Sequence, residues 1–329
     1  MTPRAAAGRA ARATDLEALV EELRARWPRA LGRAISVVED GGPQQAELVR
    51  RIYAETGRAR VVGVTGPPGA GKSTRVDRLA QAVRARGETV GILCVDPTSP
   101  YSGGALLGDR IRMQGLATDP QVFIRSMATR GAMGGLARAT RDAVDVLDAA
   151  GFDWILVETV GVGQDEVDVV SSVDTVLVVA VPGLGDDIQA IKAGIFEIAD
   201  VFVLNKADRD GADRTYRDLA TMLSLAAALD WTPPIVRTVA LRGEGIAALV
   251  AEIERHRAWM EEEGRLAGRR REQLRLRVEG ILKERVLAAA RDEAGLDSEL
   301  ERAFAEHVDP YRVADALFRG VARAQAGRG

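Results

Sequence analysis

Residues 63–74, GVTGPPGAGKST, constrain this chain more than any other stretch. They contain G-x-x-x-x-G-K-S as Gly66, Gly71, Lys72 and Ser73. The run before them, RVVGVT (60–65), is apolar and β-branched, and the run after them, STRVDRLAQAVRARG, has helical spacing. A glycine-rich turn between a strand and a helix points backbone amides and a helix N-terminus at one spot, which suits phosphate. Gly66, Pro67, Pro68, Gly69, Ala70, Gly71, Lys72, Ser73 and Thr74 are therefore the candidate phosphate-binding residues. Lys72 is expected to reach β- and γ-phosphates, and the Ser73 hydroxyl to ligate Mg²⁺.

A strand–loop–helix of this kind belongs in an α/β sheet. Six further apolar runs read as strands: TVGILCV (89–95), QVFIRS (121–126), WILVE (154–158), TVLVVAV (175–181), VFVLN (201–205) and PIVRTVA (234–240). Most lack polar alternation, as expected of parallel strands covered on both faces. The spacing predicts a doubly wound, mostly parallel α/β sheet with helical extensions at both ends. Residues 14–56 read as helical, with Thr14 and Glu17 matching a capping box and Leu16, Leu19, Val20 and Leu23 on one face. From about 245 the pattern is helical again, and Leu274, Val278, Ile281, Leu282 and Val286 mark one apolar face. The expected divisions are a disordered tail (1–13), N-terminal helices (14–57), the nucleotide domain (58–263) and a C-terminal helical arm (264–329). The arginine-containing start, MTPRAAAGRAARAT, is read as that tail rather than as a transit peptide.

Composition removes several function classes. A formal charge of −3 gives no support for a nucleic-acid binder, and no apolar run is long enough for a membrane span. One cysteine, Cys94, allows no internal disulfide; it sits in an apolar strand and is expected to be a buried small hydrophobe in a reducing, cytoplasmic setting. His256 and His307 lie far apart without ligand spacing and are expected at the surface. The cluster RRRE (269–272) reads as a solvated face.

VFVLNKAD (201–208) then selects a base. It places Asn205, Lys206 and Asp208 at a strand end. A carboxylate there can accept from guanine N1–H and its 2-amino group, whereas adenine would leave it unpaired at a cost of several kcal/mol, order of magnitude. Val239, Ala240 and Leu241, at the end of the last strand, complete the candidate GTP/GDP-binding set. The stretch VETVGVGQDE (157–166) ends its strand in Glu158; Gly161 can offer an amide to a γ-phosphate, and Gln164 arrives late.

With these residues in hand, the chain resembles the MeaB/ArgK family of GTPases, chaperones of adenosylcobalamin-dependent acyl-CoA mutases typified by methylmalonyl-CoA mutase. The resemblance spans roughly residues 30–280 and rests on GPPGAGKST, VDPTSPYSGGALLGDRIRM (95–113), VETVGVGQDE, VPGLGDDIQAIKAGIFEIADVFVLNKAD (181–208) and TPPIV (232–236). It implies that Asp96 ends the second strand beside the metal, that Asp109 lies in a first switch, and that Glu158 is the metal-associated acid. It also implies a third switch over 182–192 that contacts the mutase, with Lys192 at its end, and a homodimer through the C-terminal helices. Pro100, Tyr101 and Ser102 depart from the Ser/Thr-rich first switch expected of the family. RSMATRGAMGG (125–135) and GGALLGDRIRM are also similar to the GTPase portion of fused isobutyryl-CoA mutases, so an isobutyryl-CoA or 2-hydroxyisobutyryl-CoA mutase is the alternative partner.

Ser73, Asp96, Asp109 and Glu158 together supply hard oxygens for Mg²⁺, some of them through metal-bound water. Lys72, Asp109, Glu158, Gln164 and Lys192 are the catalytic candidates, and hydrolysis is expected to be slow until a partner orders the Gln164 loop. Arg130 is read as a surface arginine rather than a charge stabiliser. Cobalamin is expected on the partner, because D-x-H-x-x-G, the motif that would hold cobalt, is absent from this sequence. A nickel- or zinc-delivery GTPase would need Cys- or His-rich loops, against one Cys and two His here. A small-molecule kinase would need an acceptor motif, and none is apparent.

Overall fold

The computed structural model describes residues 15–96, 113, 115–128, 135–159, 173–183, 198–225 and 230–326. Seven strands form one sheet: β1 (Arg60–Thr65), β2 (Val90–Asp96), β3 (Val122–Ala128), β4 (Trp154–Thr159), β5 (Thr175–Ala180), β6 (Val201–Asn205) and β7 (Ile235–Thr238). Their order is β3-β2-β4-β1-β5-β6-β7, and every neighbouring pair is parallel. The α/β class expected from the apolar runs is the observed one.

Strand side chains alternate between two helical layers. Val61, Leu93, Ile155, Val157, Val176, Val178 and Phe202 join the core on one face, with residues of α1 (Leu16–Arg24), α2 (Pro28–Asp40), α3 (Gly42–Ile52) and α5 (Gly135–Ala149). Val62, Val64, Ile92, Leu156, Leu177, Val179 and Val203 join the core on the other face, with α4 (Lys72–Arg84) and α7 (Ile246–Glu261). Burial on both sides explains why the strands read as continuous apolar runs. Leu219 of α6 (Ala212–Leu225) belongs to the first layer. The start of β1 is held by Asp148, whose carboxylate accepts from the amides of Gly57 (2.5 Å), Arg58 (3.2 Å) and Ala59 (3.0 Å). Because all strands run the same way, their C-terminal ends share one edge. The chain leaves β1 first toward β2 and later returns on its other side as β5, the switch in direction beside which open α/β sheets bind ligands.

Three sequence expectations change. The cap of α1 is Asp15, which accepts from the amides of Glu17 and Ala18; Thr14 lies outside the described residues. His256 is fully buried rather than at the surface. Its Nδ1 lies 2.9 Å from the Thr175 hydroxyl and its Nε2 3.3 Å from Asp200, and its ring packs against Trp231 and Trp259. The reason is that the inner face of α7 meets the sheet where β5 and β6 begin. The last strand stops at Thr238, and Ala240–Arg242 form a tight turn instead of extending it. Cys94 is buried, and His307 is exposed.

Residues 1–266 and 267–329 are separate compact units. In the second, α8 (Arg265–Asp292) leads to α9 (Leu296–Glu306) and α10 (Pro310–Ala326). Ala303, Val313 and Leu317 form a small core there, while Phe304, Tyr311 and Phe318 stand exposed. No described helix is long and apolar enough to cross a membrane.

Candidate functional site

The loop between β1 and α4 takes a shape that only glycine tolerates at two points. Gly66 has φ 142°, and a Cβ there would sit 2.4 Å from the carbonyl oxygen of Val179 on β5. Gly71 caps α4 in the left-handed region at φ 86°, and its Cβ would meet Asn205 Nδ2 at 2.5 Å. The loop is thus pressed against two neighbouring strands. Gly66→Ala is expected to cost about 2 kcal/mol or more of stability, because the clashing atom is backbone and cannot step aside. Denaturant unfolding reads this directly; an unchanged midpoint would show that the loop relaxes.

Lys72 opens α4 and is buried, with Nζ donating to the carbonyls of Gly66 (2.6 Å) and Pro67 (3.1 Å). The ammonium therefore lies over the loop it belongs to. The first turn of α4 has no acidic residue of its own, so the positive end of its dipole faces the loop.

Glu158 approaches from β4, which lies between β1 and β2 in the sheet. It is buried, in register with Val64 and Cys94, and its Oε1 accepts from the Ser73 hydroxyl at 2.6 Å. A hydroxyl and a carboxylate side by side are hard-oxygen donors of the type that Mg²⁺ takes. Asp96 ends β2 on the same edge, and only its backbone is described. Asp109, Arg130, Gly161, Gln164 and Lys192 lie outside the described residues.

Asn205 ends β6 and reaches across to the loop, donating from Nδ2 to the Ala70 carbonyl at 2.7 Å. Its Oδ1 accepts from the Ala240 amide at 3.3 Å. Lys206, at φ 55°, extends over the same loop and donates to the Gly69 carbonyl at 2.9 Å. Asp208 is exposed, with Arg242 3.4 Å away. Val239 and Ala240 are buried beside Asn205, whereas Leu241 points outward, 79% exposed. The structure thus brings together Gly66 to Ser73, Glu158, Asn205, Lys206 and Ala240 from four parallel strand ends.

Sequence reasoning missed Arg75, which donates to the Thr238 hydroxyl at 2.7 Å, and Arg78, which donates to the carbonyls of Ala240 and Leu241. Arg75 shares the buried face of α4 with Val76, Leu79, Ala80 and Val83. A charge on that apolar stripe was the available signal.

The family described as "Methylmalonyl Co-A mutase-associated GTPase MeaB" matches residues 31–294, most of the chain. The chain belongs to the MeaB family. Among its relatives, a Pyrococcus abyssi protein with a provisional GTPase name is 50% identical over 314 residues, covering 93% of this chain and 97% of that protein. The mouse "Methylmalonic aciduria type A homolog, mitochondrial" is 35% identical over 312 residues, covering 88% of this chain and 75% of that one. Among solved structures, one described as a "LAO/AO transport system kinase" superposes with a TM-score of 0.71 at 27% identity, covering 93% of this chain and 97% of that one. As a MeaB-family member the chain is a P-loop GTPase.

Proposed function

We propose that this chain is a GTP-hydrolysing switch that gates cofactor loading into an adenosylcobalamin-dependent acyl-CoA mutase and protects it, with methylmalonyl-CoA mutase as the partner. Membership of a family described as associated with that mutase carries the reading. The geometry is compatible with it, because Asn205 and Lys206 both bond to the phosphate loop and so tie base reading to phosphate binding. Cobalamin stays with the mutase.

Ser73 and Glu158 fit Mg²⁺ as an adjacent pair of hard oxygens, with Asp96 and Asp109 as further ligands, direct or through water. When bound, the ion would neutralise charge building up on the phosphate oxygens. Lys72 holds the β- and γ-phosphates, and the loop amides orient them. Gly161 would offer an amide to the γ-phosphate, and Gln164 would place the attacking water in the complex with the mutase. Lys192 biases the third switch. The exposed apolar side chains of the C-terminal unit, among them Leu282, Phe304 and Phe318, support a homodimer through the arm from residue 264.

The test is GTP turnover by the full chain with and without purified methylmalonyl-CoA mutase. We expect slow hydrolysis alone and at least about tenfold acceleration with the mutase, the scale of a partner that completes a phosphoryl-transfer site. Full activity alone, or indifference to the mutase, would remove the chaperone reading. Acceleration by an isobutyryl-CoA mutase instead would reassign the partner within the same class.

A further inference from the structure

Arg75 lies in the first turn of α4, fully buried on the face that Val76, Leu79, Ala80 and Val83 share. Its Nη2 donates to the Thr238 hydroxyl at 2.7 Å, while Nε and Nη1 have no hydrogen-bond partner. Burial, with no neighbouring acid to offset it, pushes its guanidinium down to about 9. Folding gains nothing from such a charge. A desolvated, unpaired cation costs stability, and an apolar side chain would suit this stripe better. A neutral donor could serve Thr238 equally well.

The position of the charge gives it a use. The Thr238 hydroxyl lies 3.5 Å from Asn205 Oδ1, and Nδ2 of the same amide donates to the Ala70 carbonyl at 2.7 Å. The guanidinium therefore stands behind the phosphate loop, within roughly 10 Å of it, a few hydrogen-bond lengths away. Thr238 and Asn205, the side chains in between, are themselves buried. A charge reaches that far only where water does not screen it, and such a path meets the condition. The backbone amide of Arg75 is already given to the Gly71 carbonyl at 3.1 Å. On a phosphate in the loop this residue can act only through its side-chain charge.

We propose that Arg75 is a buried counter-charge for the phosphates of the nucleotide, acting from behind the loop while Lys72 touches them directly. This rests on the GTP-binding reading of the loop and adds a second full positive charge to it. The cost that Arg75 imposes on the nucleotide-free fold is offset when a polyanion binds. Its attraction grows with the number of phosphate charges and is indifferent to the base. A residue that merely packed α4 against the sheet would affect every nucleotide alike.

Calorimetric binding of GMP, GDP and a non-hydrolysable GTP analogue to the full chain tests this, with Arg75→Leu and Arg75→Lys beside the parent. Arg75→Leu is expected to weaken GDP more than GMP, and the GTP analogue more than GDP. Each step should be at least about threefold, the scale of unit charges roughly 10 Å apart in a medium less polar than water. Arg75→Lys keeps the charge and should recover most of the loss for each nucleotide. Should Arg75→Leu fail to fold, Arg75→Met, unbranched and equally without charge, takes its place. Equal weakening of all three nucleotides, a lysine variant as weak as the uncharged one, or unchanged affinities overturns the proposal. A parent protein that binds none of the three would strike the GTP-binding reading itself, and this inference with it.

Discussion

Lys72→Ala is expected to abolish measurable GTP hydrolysis and to weaken GTP binding by about a hundredfold or more, the scale of losing a charged donor aimed at developing charge. Backbone amides and the α4 dipole remain in the variant, but they carry only partial charges. The lysine brings a full charge that is already desolvated: Nζ is buried and surrounded by the carbonyls of Gly66 and Pro67. A cation in that setting acts on a phosphate through a lower dielectric than water, so its removal matters more than loss of a surface lysine. The variant should remain folded, since those two carbonyls can be satisfied by water once the side chain is gone. Phosphate release under saturating GTP and direct nucleotide binding measure the two effects. Turnover within a few-fold of the parent would contradict the assignment of the phosphate loop.

Asp208→Asn should invert base preference. A carboxylate offers two acceptors to guanine N1–H and the 2-amino group. An amide offers one acceptor and one donor, which suits N1–H beside the 2-oxo group of xanthine. Sites built on buried polar complementarity reject a mismatched partner strongly, so GTP affinity should fall by about three orders of magnitude, with a comparable gain in the ratio of xanthosine to guanosine triphosphate. Folding should be untouched. Asp208 is exposed, and its contact with Arg242, at 3.4 Å, is a surface ion pair worth about 0–1 kcal/mol. Competition binding of both triphosphates reads the inversion. If the parent fails to prefer GTP over ATP, or the variant keeps its GTP affinity, Asp208 does not read the base.

Much of the architecture is local enough to be written in the chain. Seven apolar runs became seven parallel strands because burial on both faces leaves no polar alternation to confuse them. Gly66, Gly71, Lys72 and Ser73 are legible because the loop needs those residues at that spacing whatever surrounds it. Asn205 and Lys206 are legible because they stand at a strand end downstream of a phosphate loop. Other errors came from contacts between distant segments. Nothing near His256 in sequence announces that Thr175, Asp200 and Trp231 will enclose it, so an isolated histidine on a helix read as a surface residue.

The division is sharpest at the nucleotide edge. The strands themselves, the α/β class and the glycine-rich loop were determined by the sequence alone, since each follows from a local pattern. How those pieces are aligned was decided only when the sheet closed. Gly71 must be glycine because Asn205, from a strand far along the chain, lies where its Cβ would be. Arg75 finds its hydrogen-bond acceptor only because β7 ends with Thr238 beside it. Such constraints arise from atoms brought within hydrogen-bond or van der Waals reach by packing, and no spacing in one dimension encodes which atoms those will be.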